Sequence, residues 1–127
     1  ICIGVDLDGT IAKSVRSLND GIGDPVPSML SRVKKWLKNG REVRIVTARA
    51  STPRQVTHIR AWLKRHGLEA CDITDRKDAD MAELWDDRAI RVERDSGKIC
   101  RGCKPNTRNH ASSISTAEQS GFILTDC

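Results

Sequence analysis

The sequence predicts an α/β domain in which a mainly parallel sheet lies between layers of helix, a three-layer sandwich. Three observations carry this. The apolar run Ile1-Cys2-Ile3-Gly4-Val5 breaks abruptly at Asp6 and Asp8, as a buried strand does on entering an acidic loop. Two segments, 28–38 and 53–66, repeat apolar residues at helical spacing. Short apolar runs at 42–46, 71–74 and 81–85 alternate with them, the pattern of strands joined by right-handed crossovers in a parallel sheet.

Each element has a local cause. The opening run is uniformly apolar because a strand in a parallel sheet is covered on both faces. Residues 13–24 are polar, with Gly21 and Gly23 before Pro25 and Pro27, and read as a loop or small hairpin flap beside the acidic loop. In 28–38, Met29, Leu30, Val33, Trp36 and Leu37 form one stripe, and Arg32, Lys34, Lys35 and Lys38 take the other face. Pro27 starts this helix and Asn39-Gly40 stops it. The second helix places Val56, Ile59, Trp62 and Leu63 on one side and ends at Gly67. The strand at 42–46 runs into Thr47-Ala48-Arg49, and the strand at 81–85 runs into Asp86-Asp87-Arg88.

With 127 residues, one domain and one site are expected: a core over 1–94 and a C-terminal extension over 95–127, where the apolar signal thins to Ile114 and Phe122-Ile123-Leu124. The extension is expected to pack on the same domain or stay partly mobile. The net charge is +5, and the cations crowd the predicted helices. That favours an acidic partner such as a phosphate ester or nucleic acid, although a solvated amphipathic helix carries the same face. One Phe, no Tyr and three Trp leave little for the aromatic platforms that hold single strands. Five cysteines without an even framework, no signal peptide and no membrane-length apolar run point to a reducing, cytoplasmic setting and no membrane partner.

The candidate chemistry lies at the strand ends. Asp6 and Asp8, Thr47, Lys77, and Asp86 with Asp87 are delivered to one edge of the sheet, where open α/β sheets bind ligands. Carboxylates brought together resist joint ionisation unless a cation balances them. Mg²⁺, which commonly joins one or two carboxylates to a substrate phosphate, fits that need. Lys77 adds a positive charge and Thr47 a hydroxyl donor, so the expected substrate is phosphorylated. Each residue also has a plainer reading: an Asx turn before Gly9, a strand-end hydroxyl at Thr47, an exposed turn charge at Lys77, an acidic turn at 86–87. Arg49 is suited equally to a substrate phosphate or a salt bridge. Cys100-Arg-Gly-Cys103 is a lone CxxC that a zinc site would need His110 or Cys127 to complete.

Taken jointly and in order, these residues resemble the haloacid dehalogenase superfamily of phosphotransferases. Asp6, Asp8 and Thr10 match its DxDxT motif, Thr47 its second motif, Lys77 its basic motif and Asp86-Asp87 its paired acidic motif. The match covers residues 1 to about 92. Asp78 follows Lys77 where the family often has Pro, and the adjacent Arg76 is a second candidate for that motif. The resemblance implies a Rossmann-like fold and a phosphatase reaction. Asp6 would be the nucleophile that becomes an aspartyl phosphate, and Asp8 the general acid and base. Asp6, Asp8 through its main-chain carbonyl, Asp86 and Asp87 would hold Mg²⁺, and Gly9, Thr10, Thr47, Ala48, Arg49 and Lys77 would surround the phosphoryl group.

Family members usually gain specificity from a cap inserted after the first motif or between the second and third. Here 36 residues lie between Thr10 and Thr47, and 29 between Thr47 and Lys77. Each gap is filled by one helix and one strand, so a capless, open site is expected. An open site admits a nucleotide, a sugar phosphate or a phosphorylated nucleic acid end. The Asp-Leu-Asp-Gly-Thr-Ile-Ala-Lys run is similar to the start of the phosphatase domain of polynucleotide kinase-phosphatases. A non-catalytic module of the same fold, binding nucleic acid or a protein through its basic face, is the contrasting expectation.

Overall fold

The computed structural model describes residues 1–102 of the chain. They fall into two compact units, Ile1–Asp87 and a second beginning at Arg88. The first contains a four-stranded, all-parallel sheet in the order β3-β2-β1-β4. Its strands are β1 (Cys2–Asp6), β2 (Glu42–Val46), β3 (Asp72–Thr74) and β4 (Met81–Trp85), and its helices are α1 (Pro27–Lys38) and α2 (Pro53–Arg65).

The helix ends follow from sequence chemistry. α2 begins where the Thr52 hydroxyl accepts the Gln55 N–H and Pro53 presets the first turn. It ends at Gly67, whose φ of 76° lets Leu68 turn back and donate to the Leu63 carbonyl at 2.8 Å. α1 starts at Pro27 without a side-chain cap and is held by its apolar stripe.

A single core joins both helices to the same side of the sheet. Ile3 and Val5 from β1, Val43 and Ile45 from β2, Met29 and Val33 from α1, and Ile59 and Leu63 from α2 are all buried in it. The connections β1-α1-β2 and β2-α2-β3 step the same way across the sheet, so crossovers of one hand put both helices on one face. The return from β3 to β4 reverses direction and contains no helix. Among the described residues, the expected third layer is therefore absent. In its place residues 75–80 are tied to the strands by Arg44, which pairs with Asp78 at 2.5 Å and Asp80 at 3.4 Å, and by the Cys2 N–H, which donates to the Asp80 carbonyl at 2.8 Å. On this face a Cβ at Gly4 would stand 3.0 Å from the side-chain ends of both Leu84 and Met81, a tight contact to which those side chains would have to yield.

The two intervals in which the resemblance would allow a cap hold no additional domain. Between Thr10 and Thr47 lie the 13–24 loop, α1 and β2, and between Thr47 and Lys77 lie a 3-10 turn, α2 and β3. The 13–24 loop is closed at its base by backbone bonds from Lys13 N–H to the Asp24 carbonyl and from Val26 N–H to the Ile11 carbonyl, both 2.8 Å.

In the second unit, Val92 and Ile99 form an antiparallel bridge around a turn where Asp95 (φ 60°) and Gly97 (φ 74°) take left-handed conformations. Cys100 is buried. Cys103, His110, Ile114, Phe122 to Leu124 and Cys127 lie outside the described residues. No helix among the described residues is long and apolar enough to cross a membrane.

Candidate functional site

β1 is the strand at which the chain changes direction: its neighbours β2 and β4 are reached by connections that travel opposite ways. Such a switch point opens a crevice beyond the carboxyl ends of the strands. Asp6 closes β1 in register with Val46, and Val5 pairs with Trp85, so Asp6 and Asp86 emerge side by side at that crevice. Carboxylate oxygens of Asp6, Asp86 and Asp87 all come within 4.8 Å of one another. Asp6 and Asp86 are half-buried and Asp87 is exposed. These three residues are placed to hold a metal ion.

The loop after Asp6 is built to bring Asp87 close. The Leu7 carbonyl accepts the N–H groups of Thr10, Ile11 and Ala12 at 2.9–3.2 Å, which curls the chain into a tight turn. Gly9 takes φ 87°, and a Cβ there would lie 2.5 Å from Asp87 Oδ2. Glycine therefore meets two demands at this position. The Thr10 hydroxyl donates across the cluster, 3.3 Å from Asp6 Oδ2 and 3.4 Å from Asp87 Oδ1.

The cluster raises its own energy. Burial pushes the Asp6 carboxyl up to about 7, helped by a hydrogen bond to Asp87 and by the charges of Asp86 and Asp87. A divalent cation among these oxygens would reverse that balance, and an all-oxygen donor set suits a hard ion such as Mg²⁺.

Asp8 has a different partner. Its carboxylate is held by Arg49 in a two-point fork, Nε to Oδ2 and Nη2 to Oδ1, both 2.8 Å. It is therefore engaged outside the Asp6, Asp86, Asp87 set. Arg49 is only 3% exposed, and its Nη2 also donates to the Gly21 carbonyl at 2.7 Å. A second tie to the 13–24 loop comes from Trp62, whose indole N–H donates to the Gly23 carbonyl at 3.0 Å. The loop is thus pinned from two sides.

Thr47 is buried at the end of β2, where its hydroxyl accepts the Arg49 N–H at 3.2 Å and caps the turn Ala48–Ser51. It keeps its own O–H to donate. Ala48 is exposed beside it. Lys77 leaves the same sheet edge after Thr74 and is exposed. Among the described residues, no hydrogen bond or ion pair joins Lys77 or Arg76 to the carboxylate cluster, and Arg76 instead pairs with Asp75 at 3.4 Å.

Sequence reasoning thus assembled Asp6, Asp86 and Asp87 and left Arg49 with two equal roles, of which the structure shows the salt bridge. It missed the carbonyls of Gly21 and Gly23, because a main-chain acceptor leaves no mark in side-chain identity. The pair of glycines in an otherwise polar loop was the one available signal. No family model, curated protein or solved structure matches the chain.

Proposed function

We propose that this chain is a Mg²⁺-dependent phosphomonoester hydrolase of the haloacid dehalogenase type, lacking a cap. The observation that supports it best is the pairing of two differently treated carboxylates two residues apart: Asp6 among Asp86 and Asp87, and Asp8 in the fork of Arg49. Environments that separate two acids in this way are what a nucleophile and an acid-base partner need.

In this reading an Asp6 oxygen attacks phosphorus, the bond from phosphorus to the ester oxygen breaks, and Asp8 gives that oxygen a proton. Water then attacks the aspartyl phosphate, Asp8 recovers a proton from it, and the bond to Asp6 breaks to release inorganic phosphate. Asp6, Asp86 and Asp87 would hold the ion, which when bound neutralises charge on the transferring phosphoryl group. The Thr47 hydroxyl and backbone N–H groups of the 9–10 turn would bind phosphoryl oxygens, and Lys77 would swing in to do so. The substrate class stays broad: a nucleotide, a sugar phosphate or a phosphorylated nucleic acid end.

The test is phosphate release from a generic aryl phosphate with Mg²⁺. Activity is expected to vanish in Asp6→Asn and to fall about 10²- to 10⁴-fold in Asp8→Asn, the range for a lost general acid. Absence of turnover across a broad panel of phosphoesters, by protein shown to be folded, would overturn the reading.

A further inference from the structure

α1 and α2 together carry eight Lys and Arg residues and not one Asp or Glu. Lys34, Lys35, Lys38, Arg60, Lys64 and Arg65 are all exposed, and none forms an ion pair among the described residues. The two helices share one core, and Lys34 bridges them: its Cε and Nζ lie 3.4 and 3.5 Å from where a Cβ on Gly67, just past α2, would stand. Their cations therefore form one surface.

Helix stability does not account for this. Cations in the last turns of both helices suit the macrodipole, but Arg54 occupies the first turn of α2, where it opposes the dipole, and neither first turn has an acid. Lys34 with Lys38 and Arg60 with Lys64 are like charges four residues apart, an arrangement that weakens a helix. A fold that keeps such a surface unneutralised has a polyanion as its natural complement.

We infer that the outer face of α1 and α2 binds the phosphodiester backbone of double-stranded nucleic acid, independently of the chemistry at the acidic crevice. Two observations select this polyanion. Among the described residues, the exposed large apolar side chains are Ile1, Leu84, Ile90, Val92 and Ile99, none of them on these helices, so the face lacks the anchors that hold an amphipathic helix in a lipid surface. The helices' two tryptophans are also committed inward, Trp36 edge-on to Trp85 at 5.1 Å and Trp62 in the core with its N–H on Gly23, so no ring is free to stack an unpaired base. Contact with phosphates alone is independent of base sequence and steeply sensitive to salt.

The experiment measures fluorescence anisotropy of a short labelled DNA duplex with the full chain, from about 50 to 200 mM salt. Wild-type protein is expected to bind with a linear fall of log affinity against log salt. The quadruple variant Lys35→Gln, Lys38→Gln, Lys64→Gln, Arg65→Gln should bind at least tenfold more weakly, with the slope reduced by about 0.9 for each phosphate contact removed. The four-fold exchange of the same residues between Lys and Arg should keep both affinity and slope. Asp6→Asn should bind duplex like wild type, and the quadruple variant should hydrolyse a small aryl phosphate like wild type, so failure here is distinguishable from failure of the phosphatase reading. Wild-type affinity and slope in the folded Gln variant would overturn the inference, as would binding to phosphatidylserine vesicles with none to duplex.

Discussion

Arg49 grips Asp8 with two parallel hydrogen bonds of 2.8 Å while it also donates to the carbonyl of Gly21, so one buried guanidinium joins an acidic residue of the crevice to the loop beside it. The fork keeps Asp8 as a hydrogen-bond acceptor. In the proposed reaction Asp8 would carry the leaving group's proton on a lone pair that the fork leaves open. Arg49 would therefore fix the direction in which Asp8 presents that lone pair.

Replacing this guanidinium has a stated cost. Arg49→Met removes a side chain 1% exposed and leaves Asp8, 22% exposed, without its partner. Breaking a fully buried pair costs about 3–5 kcal/mol, and partial access of water to Asp8 lowers the expectation to about 2–3 kcal/mol. Urea denaturation measures it. The double variant Arg49→Met, Asp8→Asn should lose less than the sum of its parts, because the stranded charge is gone. Arg49→Lys cannot reproduce the fork, and is expected to lower kcat with little change in KM and to move the pH profile.

The Asp6 cluster makes stability depend on pH and on metal. With its carboxyl raised from 3.8 to about 7, folded protein without metal holds a proton that the unfolded chain has released anywhere between those values. The folded state then binds more protons, so unfolding free energy falls as pH rises through this window and stays low above it. Thermal melts in EDTA should show Tm decreasing from about pH 4 to pH 7 more steeply for wild type than for Asp6→Asn. Mg²⁺ should raise Tm far more at pH 8 than at pH 5, since protons compete for the same oxygens. An equal gain at both values would count against a metal on Asp6.

At Gly9 the backbone and the carboxylates make one demand together. In Gly9→Ala the new methyl meets Asp87 Oδ2 at 2.5 Å in a chain held at φ 87°. Left-handed strain alone is of order 1–3 kcal/mol, and Asp87 must move away from Asp6 to make room. Expected outcomes are a lower Tm and weaker Mg²⁺ binding by calorimetry. A variant with weaker stability and unchanged metal affinity would show that Asp87 is dispensable to the cluster.

Much of the framework was legible because its causes are local. The strands Glu42–Val46 and Met81–Trp85 fall where short apolar runs meet polar ends, and the helices begin at Pro27 and Pro53 and end two residues before Gly40 and Gly67. Periodicity and caps act over a few residues, so they are written in consecutive letters. The third layer was not legible in the same way. It depended on what residues 75–80 do, and that is decided by Arg44, more than thirty residues earlier, reaching Asp78 and Asp80 across the sheet.

By itself the sequence determined the parallel α/β framework, the convergence of Asp6, Asp86 and Asp87 at one sheet edge, and the basic outer faces of both helices. Strand polarity and side-chain period are enough for those. Only the tertiary structure decided that both helices share one face, that Asp8 turns to Arg49, that Lys77 stands exposed, and that Gly21 and Gly23 are pinned by Arg49 and Trp62. Those outcomes rest on which distant groups meet, and a contact between residues 41 positions apart leaves no periodic trace in the chain.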